Sequence, residues 1–449
     1  MRKVSTLLYF IAIAQLVLAQ TKSKKPLDHS VYDSWQSVAG EKISNDGKWV
    51  SYAVTPQEGD ATLMITRLNT NTVLRVPRGS AAKFTADSRY SIFTIKPFYQ
   101  ETRTAKIKKK KAADMPKDSL GIVRLGTEDI YKLGRVKSFQ LPKNGSDVIA
   151  YHLEVAPDTA RKKAAATKDA ADVFADETDA KSSAGKNEGA DLVVRKLATG
   201  AEKAFKHVTD YLLSDDGKVL VYVSSGSKDS ASTDGVYWYD IEKDRLKKIS
   251  SGKGIYKNLS LDENNKQVAF AAEKGAGKAL RKNFSLYYYS TQADSALILV
   301  GKETEGMPTN WTVSGEGKIF FSKNGTRLFF GTAPIAPVKD TTIVDFEVAD
   351  VDIWNYKDDY LQPMQLRNLD RELKRSYLAA VNIKNRAKVI QLGNEQLPEI
   401  QLTEDADNDF ALGTTDYGNR IEMQWTGSSQ KDLYLVSLVD GSKKLITSK

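Results

Sequence analysis

One short phrase recurs along this 449-residue chain and constrains its fold more than any other feature. The phrase is a hydrophobic strand, a short turn rich in Ser, Asp, Asn and Gly, and a second hydrophobic strand. Asp-Gly and Asn-Gly tolerate the positive φ of a tight turn, and the flanking β-branched and aromatic residues favour strands, so each copy predicts a β-hairpin. The six copies span Ile43–Tyr52, Phe84–Phe93, Leu213–Tyr222, Leu259–Phe270, Phe320–Phe330 and Leu402–Phe410.

A second hairpin usually follows the first, which gives four strands per repeat. These second hairpins lie at Val236–Ile249, Ser285–Val300 and Leu433–Ile446. Ser214 and Ser260 are separated by roughly the 40 to 45 residues of one propeller blade. A β-sandwich of short strands is the alternative, but it has no reason to repeat one turn phrase at this spacing.

Further strand-like material at Tyr131–Leu153 and Leu192–Phe205 raises the expected number of repeats to about seven. The sequence therefore predicts an all-β chain that forms a β-propeller of about seven four-stranded blades, of the TolB-like or WD-like kind. If part of the chain is missing, the ring is incomplete or open, and its last blade presents an unpaired edge.

Three stretches interrupt the repeat. Residues 99–117 form an insertion that carries a lysine run, and residues 157–189 contain almost no large apolar side chains and are expected to be disordered. At Pro363–Lys374, leucines fall at helical spacing behind a proline suited to the first turn, which predicts one short inserted helix. Its apolar stripe is expected to pack against the blades.

The N-terminus predicts export. Arg2 and Lys3 precede an apolar run, Leu7–Leu18, that ends in small residues, so residues 1–19 read as a signal peptide cleaved near Ala19. The run is too short for a transmembrane anchor, so the chain is not expected to span a membrane. The sequence contains no cysteine, which excludes disulfides and a lipoprotein anchor. The expected mature protein, residues 20–449, is secreted or periplasmic.

Charge does not indicate a nucleic-acid partner. Loss of Arg2 and Lys3 lowers the formal net charge from +9 to +7, and much of the excess lies in the run Lys106–Lys111. Lysine clusters are typical of nucleic-acid and membrane-surface sites. No aromatic residue is interleaved with this run, so it is interpreted as a solvated loop tip.

The chain shows no recognisable catalytic, cofactor or metal set. It has no G-x-S-x-G nucleophile elbow, and its histidines, His29, His152 and His207, have no flanking catalytic pattern. The glycines near 252–254 and 275–277 are turn glycines, not a phosphate-binding loop. Five acidic residues lie close together in the sequence: Asp340, Asp345, Glu347, Asp350 and Asp352. They lack the fixed spacing and the turn glycine of a calcium loop, and a solvated strand edge explains them equally well.

Several stretches resemble the N-terminal propeller of exported bacterial peptidases of the prolyl oligopeptidase family. They are Pro26–Trp35, Leu328–Pro334, Asp345–Val348 and Leu366–Tyr377, and the resemblance extends over the whole mature chain. In that family the propeller caps a C-terminal α/β-hydrolase domain that carries the catalytic Ser, Asp and His. This sequence ends at Lys449 before any such domain, so no catalytic residue is transferred to it. Glu372 does not match the acidic pair of the dipeptidyl members and is expected to be a surface residue.

The resemblance implies a non-catalytic propeller portion of a serine peptidase, a substrate gate and docking wall for a hydrolase domain missing from this chain. Its expected partners are that domain and a peptide substrate. Two alternatives stay open: a stand-alone envelope propeller that binds a peptide, glycan or protein, and a hydrolase with an unrecognised site.

Overall fold

The computed structural model describes residues 28–70, 72–155, 189–225, 233–275, 283–338, 351–384 and 388–448. The expected signal peptide, residues 1–19, and residues 157–188 of the expected disordered insertion lie outside the described residues. The chain divides into two compact units. Unit 1 comprises residues 1–84 and 88–134, and unit 2 comprises residues 85–87 and 135–449.

Unit 1 contains two four-stranded antiparallel sheets, each with its strands in sequence order. A short 3-10 helix, His29–Ser34, precedes them. Blade 1 consists of β1 (Gln36–Ile43), β2 (Trp49–Pro56), β3 (Thr62–Arg67) and β4 (Val73–Pro77). Blade 2 consists of β5 (Gly79–Phe84), β6 (Tyr90–Ile95), β7 (Ser119–Arg124) and β8 (Ile130–Gly134).

Unit 2 begins with a seven-stranded sheet that is two blades joined by one continuous strand. Its strands are β9 (Val136–Gln140), β10 (Val148–Leu153), β11 (Ala190–Lys196), β12 (Glu202–Leu213), β13 (Val219–Ser224), β14 (Gly235–Asp240) and β15 (Arg245–Ser251). The first half of β12 pairs with β11, and the second half pairs with β13. The change of partner occurs at Val208, next to His207 with φ of 56°. Blade 3 is therefore β9 to the first half of β12, and blade 4 is the second half of β12 to β15.

Three more antiparallel blades complete unit 2. Blade 5 consists of β16 (Gly254–Leu261), β17 (Gln267–Lys274), β18 (Ser285–Ser290) and β19 (Leu297–Val300). Blade 6 has a first strand in two pieces, and consists of β20 (Trp311–Val313), β21 (Phe320–Phe321), β22 (Arg327–Pro334), β23 (Tyr377–Asn382) and β24 (Val389–Gln391). Blade 7 consists of β25 (Glu399–Gln401), β26 (Phe410–Thr415), β27 (Asp432–Ser437) and β28 (Lys443–Thr447).

The expected all-β propeller class with seven four-stranded blades is confirmed. The middle strands of blades 3 to 6 are mostly buried on both faces, as blades packed face to face require. In β13, Val219, Val221 and Val223 pack toward blade 5, whereas Leu220 and Tyr222 pack toward blade 3. Strand alternation thus supplies an apolar layer on each side of the blade. Tyr131, expected with the third repeat, belongs to the outer strand of blade 2.

The repeated phrase is the connection between the first and second strands of a blade. In blade 4 the Ser214 hydroxyl donates to Asp216 Oδ1 at 2.7 Å and accepts from the Val219 backbone N–H at 2.9 Å. Gly217 takes the left-handed conformation with φ of 74°, which a glycine adopts without steric cost. Ser44 and Ser322 make the same pair of contacts in blades 1 and 6.

Every long connection falls between the second and third strands of its blade. Within the described residues, three such connections contain helices: α1 (Tyr99–Ile107) in blade 2, α2 (Gln362–Leu373) in blade 6 and α3 (Arg420–Thr426) in blade 7. A 3-10 turn, Ala112–Asp114, follows α1. The expected inserted helix is α2, and α1 and α3 are two further short helices. Because antiparallel strands alternate in direction, the insertions of a blade and its turn phrase lie at opposite ends.

Candidate functional site

The three histidines that the sequence analysis considered as bases lie in different structural elements. His152 is 4% exposed, and its Nε2 lies 2.8 Å from the Val208 carbonyl oxygen. Burial lowers the pKa of His152 despite that hydrogen bond. His29 packs edge-on against Tyr32 near the start of unit 1. His207 occupies the left-handed position at the blade 3 to blade 4 junction.

Of the five acidic candidates, Asp352 lies within the described residues. Asp352 accepts a hydrogen bond from Gln362 Nε2 at 2.6 Å, whereas Asp340, Asp345, Glu347 and Asp350 lie outside the described residues. In the parts of the chain that the structure describes, no group of three or more acidic or histidine side chains is placed to hold a metal ion. Lys108–Lys111 are exposed, which agrees with a solvated tip.

Unit 2 contains a cavity of about 620 Å³ along the first strands of its blades, named here the channel cavity. Turn residues of four blades reach it: Lys143, Glu263, Lys323 and Asp405. The wall between those turns and the start of β25 is apolar and is formed by Phe320, Phe321 and Ile400. The cavity therefore extends along β21 and β25 from the turn-phrase end of the blades toward the insertion end.

A charged pair and a close glycine contact fix the wall of the channel cavity. Lys323 Nζ lies 2.9 Å from Asp405 Oδ1 across blades 6 and 7, and this hydrogen bond raises the pKa of Lys323. A Cβ at Gly331 would lie 2.6 Å from the Gly317 Cα, closer than real Cβ atoms approach. Gly331 belongs to Leu328–Pro334, so part of this family-like stretch is required for packing.

A second cavity of about 580 Å³, named here the basic cavity, adjoins the first. Both are lined by Ser376, Pro398 and Glu399. The basic cavity lies at the insertion end of blades 6 and 7, where α2 and α3 come together. Its lining has five cationic side chains and two carboxylates, which are Arg371, Lys374, Arg375, Arg420 and Lys431 with Glu399 and Asp416.

Arg420 is the best-anchored cation of the basic cavity. Its side chain is 16% exposed, with Nε donating to Asp416 Oδ1 at 2.8 Å and Nη1 to Asp359 Oδ2 at 3.2 Å. Its guanidinium lies 4.9 Å from the centre of the Tyr360 ring. Burial disfavours its charge, but the hydrogen bond and attraction to Asp416 prevail and raise the pKa of Arg420. The guanidinium of Arg420 is therefore held in a fixed position by its carboxylate partners.

Arg375 is held in a similar way by Glu372, the residue that the sequence placed on the surface. Two nitrogens of Arg375 donate to the two oxygens of Glu372, each at 2.5 Å. This pairing lowers the pKa of Glu372 and raises that of Arg375. Such a bidentate pair restricts both side chains. Glu372 is exposed as expected, but its role is to orient Arg375.

The sequence analysis missed the residues of the basic cavity because they come from separate blades. Arg375 follows α2, Arg420 begins α3, and Lys431 lies just before β27. The only local signal is the four-residue spacing of Asp416 and Arg420, which suits an ion pair on a helix.

The helices beside the basic cavity present apolar side chains to solvent. Leu366 and Leu369 of α2 are about half exposed, and Leu373 is 75% exposed. The expectation that this stripe packs against the blades is therefore wrong. Trp425 of α3 is 87% exposed. Gln424 Nε2 donates to the Asp359 backbone oxygen at 2.8 Å, which ties α3 to the segment leading into α2.

No helix within the described residues is long and apolar enough to cross a membrane.

No protein-family model matches the sequence, and no curated protein matches it either. Solved structures of similar fold include the β-propeller domain of the Trilobed protease from Pyrococcus furiosus, at 9% identity and TM-score 0.36, covering 92% of this chain and 98% of that chain. A prolyl endopeptidase is similar at 12% identity and TM-score 0.38, and the match covers 97% of this chain and 54% of that chain. The tricorn protease is similar at 13% identity and TM-score 0.36, and the match covers 94% of this chain and 35% of that chain. This chain thus spans about half of the prolyl endopeptidase and about a third of the tricorn protease.

Proposed function

We propose that this chain is the non-catalytic propeller portion of a prolyl oligopeptidase-like serine peptidase. In this role it gates the entry of peptide substrate and forms the docking wall of an α/β-hydrolase domain, which supplies the catalytic residues. The proposal rests on the family-like stretches of the sequence and on the blades of the structure. Export through the predicted signal peptide is part of the same proposal.

The channel cavity is the observation that carries the gating role. Its volume of about 620 Å³ falls in the range of about 300 to 1,000 Å³ that is usual for sites of small ligands. A cavity of this size accepts a short extended peptide and excludes a folded protein. Its apolar wall and paired charges provide both the surface and the polar groups that peptide binding needs.

The exposed leucines of α2 favour the docking role. Leu366, Leu369 and Leu373 lie on the insertion end of unit 2, and exposed apolar side chains that cluster in this way are typical of interaction surfaces. The same surface also suits the alternative function, a stand-alone propeller that binds a peptide, glycan or protein.

Binding and hydrolysis measured together test the proposal. The purified chain should bind a labelled proline-containing tetrapeptide without cleaving it. Filling the channel cavity with Leu402→Trp should weaken binding about tenfold or more, whereas Leu445→Trp on exposed β28 should not. Hydrolysis by the purified chain that persists through repurification would instead support an unrecognised active site.

A hydrolase domain of the prolyl oligopeptidase family separates the proposal from the stand-alone alternative. Adding this chain should slow cleavage of a long unfolded protein by that domain more than cleavage of the tetrapeptide. If both substrates are cleaved at unchanged rates, the chain is not a gate for such a domain.

A further inference from the structure

We infer that the basic cavity is a carboxylate-binding subsite that selects acidic peptides at the insertion end of the channel cavity. The inference rests on the proposed function in one respect, that the ligand of the channel cavity is a peptide. It adds the class of peptide and the residues that select it.

The cations of the basic cavity are of two kinds. Arg420 and Arg375 are neutralised by their own partners, Asp416 with Asp359 and Glu372 respectively. Lys374 and Lys431 are exposed lining residues with no ion-pair partner among the described residues. Arg371 reaches Glu372 at 3.5 Å, beyond the distance of a strong charged hydrogen bond. The five cations of the lining face four carboxylates, which are Asp359, Glu372, Glu399 and Asp416, so the cavity retains one net positive charge.

Pre-organisation favours binding at this place. The paired arginines are held in position before a ligand arrives, so less side-chain entropy is lost when they donate a hydrogen bond to one more carboxylate oxygen. The lysines are mobile point charges at the rim and add attraction that depends on salt. Together they provide fixed donors beside unpaired positive charge.

The neighbouring channel cavity identifies the anion as part of a peptide. Ser376 and Pro398 line both cavities, so a chain that lies along Ile400 and Phe321 can place its next residues in the basic cavity. Glu399 also lines both cavities and repels a polyanion that would extend from one into the other. A carboxylate on a mainly apolar peptide satisfies both conditions, whereas a nucleic-acid strand does not.

Fluorescence anisotropy with the full chain and three labelled peptides of equal length tests the inference. One peptide carries two glutamates and an amidated C-terminus, the second carries glutamines and a free C-terminus, and the third carries glutamines and an amide. The first two should bind more tightly than the third, and their order tells whether a side-chain or a terminal carboxylate is selected. The preference should shrink as salt is raised.

Paired charge variants assign the selectivity to this cavity. Lys374→Gln with Lys431→Gln should reduce the preference for carboxylates about fivefold to tenfold, in line with two partly exposed charge interactions. The matched control is Lys253→Gln with Lys444→Gln, which removes the same charge from exposed positions of unit 2 outside both cavities and should leave the preference unchanged.

Two results would overturn the inference while leaving the proposed function intact. One is equal binding of all three peptides by the unchanged chain. The other is an equal loss of preference in the two double variants. Tighter binding of an oligonucleotide than of the acidic peptides would assign the cavity to phosphates instead. Failure of the Leu402→Trp block, in contrast, counts against the peptide channel itself.

Discussion

Replacing Ser214 by alanine should expose how much the turn phrase contributes to the stability of a blade. The Ser214 side chain is buried and its hydroxyl takes part in three hydrogen bonds, with Asp216, the Lys218 N–H and the Val219 N–H. The Lys218 N–H keeps Asp216 Oδ1 as a second acceptor at 3.0 Å. The Val219 N–H loses its acceptor inside the protein.

The expected cost follows from these contacts. A buried donor without a partner costs about 1 to 3 kcal/mol, and the lost bond to Asp216 adds about 1 kcal/mol. Ser214→Ala should therefore lower the local opening free energy by about 2 to 4 kcal/mol. Since about 1.4 kcal/mol corresponds to a factor of ten, amides of β13 should exchange at least roughly 30-fold faster.

Hydrogen exchange followed by mass spectrometry on the segment around β13 measures this directly. It is preferable to a single unfolding midpoint, because a chain of two units need not unfold in one step. Ser251→Ala is the control, since Ser251 is exposed at the end of β15. If the exchange rates of the β13 amides change less than threefold in Ser214→Ala, or change equally in the control, the buried hydrogen bonds of the turn phrase do not stabilise the blade as argued.

Three further outcomes are expected. Gly331→Ala should destabilise unit 2 by about 1 to 3 kcal/mol through overpacking against Gly317, while Gly301→Ala, whose nearest contact would be 3.9 Å, should not; thermal unfolding compares them. Burial holds the folded-state pKa of His152 below the ordinary histidine value of 6.5, so the unfolded chain binds the proton first and stability should fall as pH drops through 6.5. His152→Gln should therefore make the free energy of unfolding depend less on pH between pH 7 and 5. Leu366→Gln with Leu369→Gln should change stability by less than about 0.5 kcal/mol, because both leucines face solvent; the same variant should impair docking to a hydrolase domain, and a large loss of stability would contradict the exposure of the stripe.

The blade repeat was predictable because its signal is local. A hydrophobic strand followed by a turn with a left-handed glycine appears within about ten residues, and the same pair of hydrogen bonds then forms at Ser44, Ser214 and Ser322. The sharing of β12 by two blades was not predictable, since nothing around Val208 marks the change of partner.

The basic cavity was not predictable for the opposite reason. Its chemistry depends on where blades 6 and 7 bring their insertions together, and Arg375 and Arg420 are separated by two strands of blade 6 and two of blade 7. The prediction that the leucines of α2 are packed was wrong for a related reason. Helical spacing predicts an apolar face, but only the surrounding structure decides whether another element covers it.

The continuous strand β12 has a mechanical consequence for unit 2. One continuous strand joins blades 3 and 4, because β12 pairs with β11 along its first half and with β13 along its second half. These two blades therefore resist being pulled apart more strongly than neighbours that meet only through side chains. Any widening of unit 2 that admits a bulky ligand must therefore occur at the later seams, between blades 4 and 5, 5 and 6 or 6 and 7. When unit 2 is pulled apart by force, blades 3 and 4 should be the last neighbouring blades to separate.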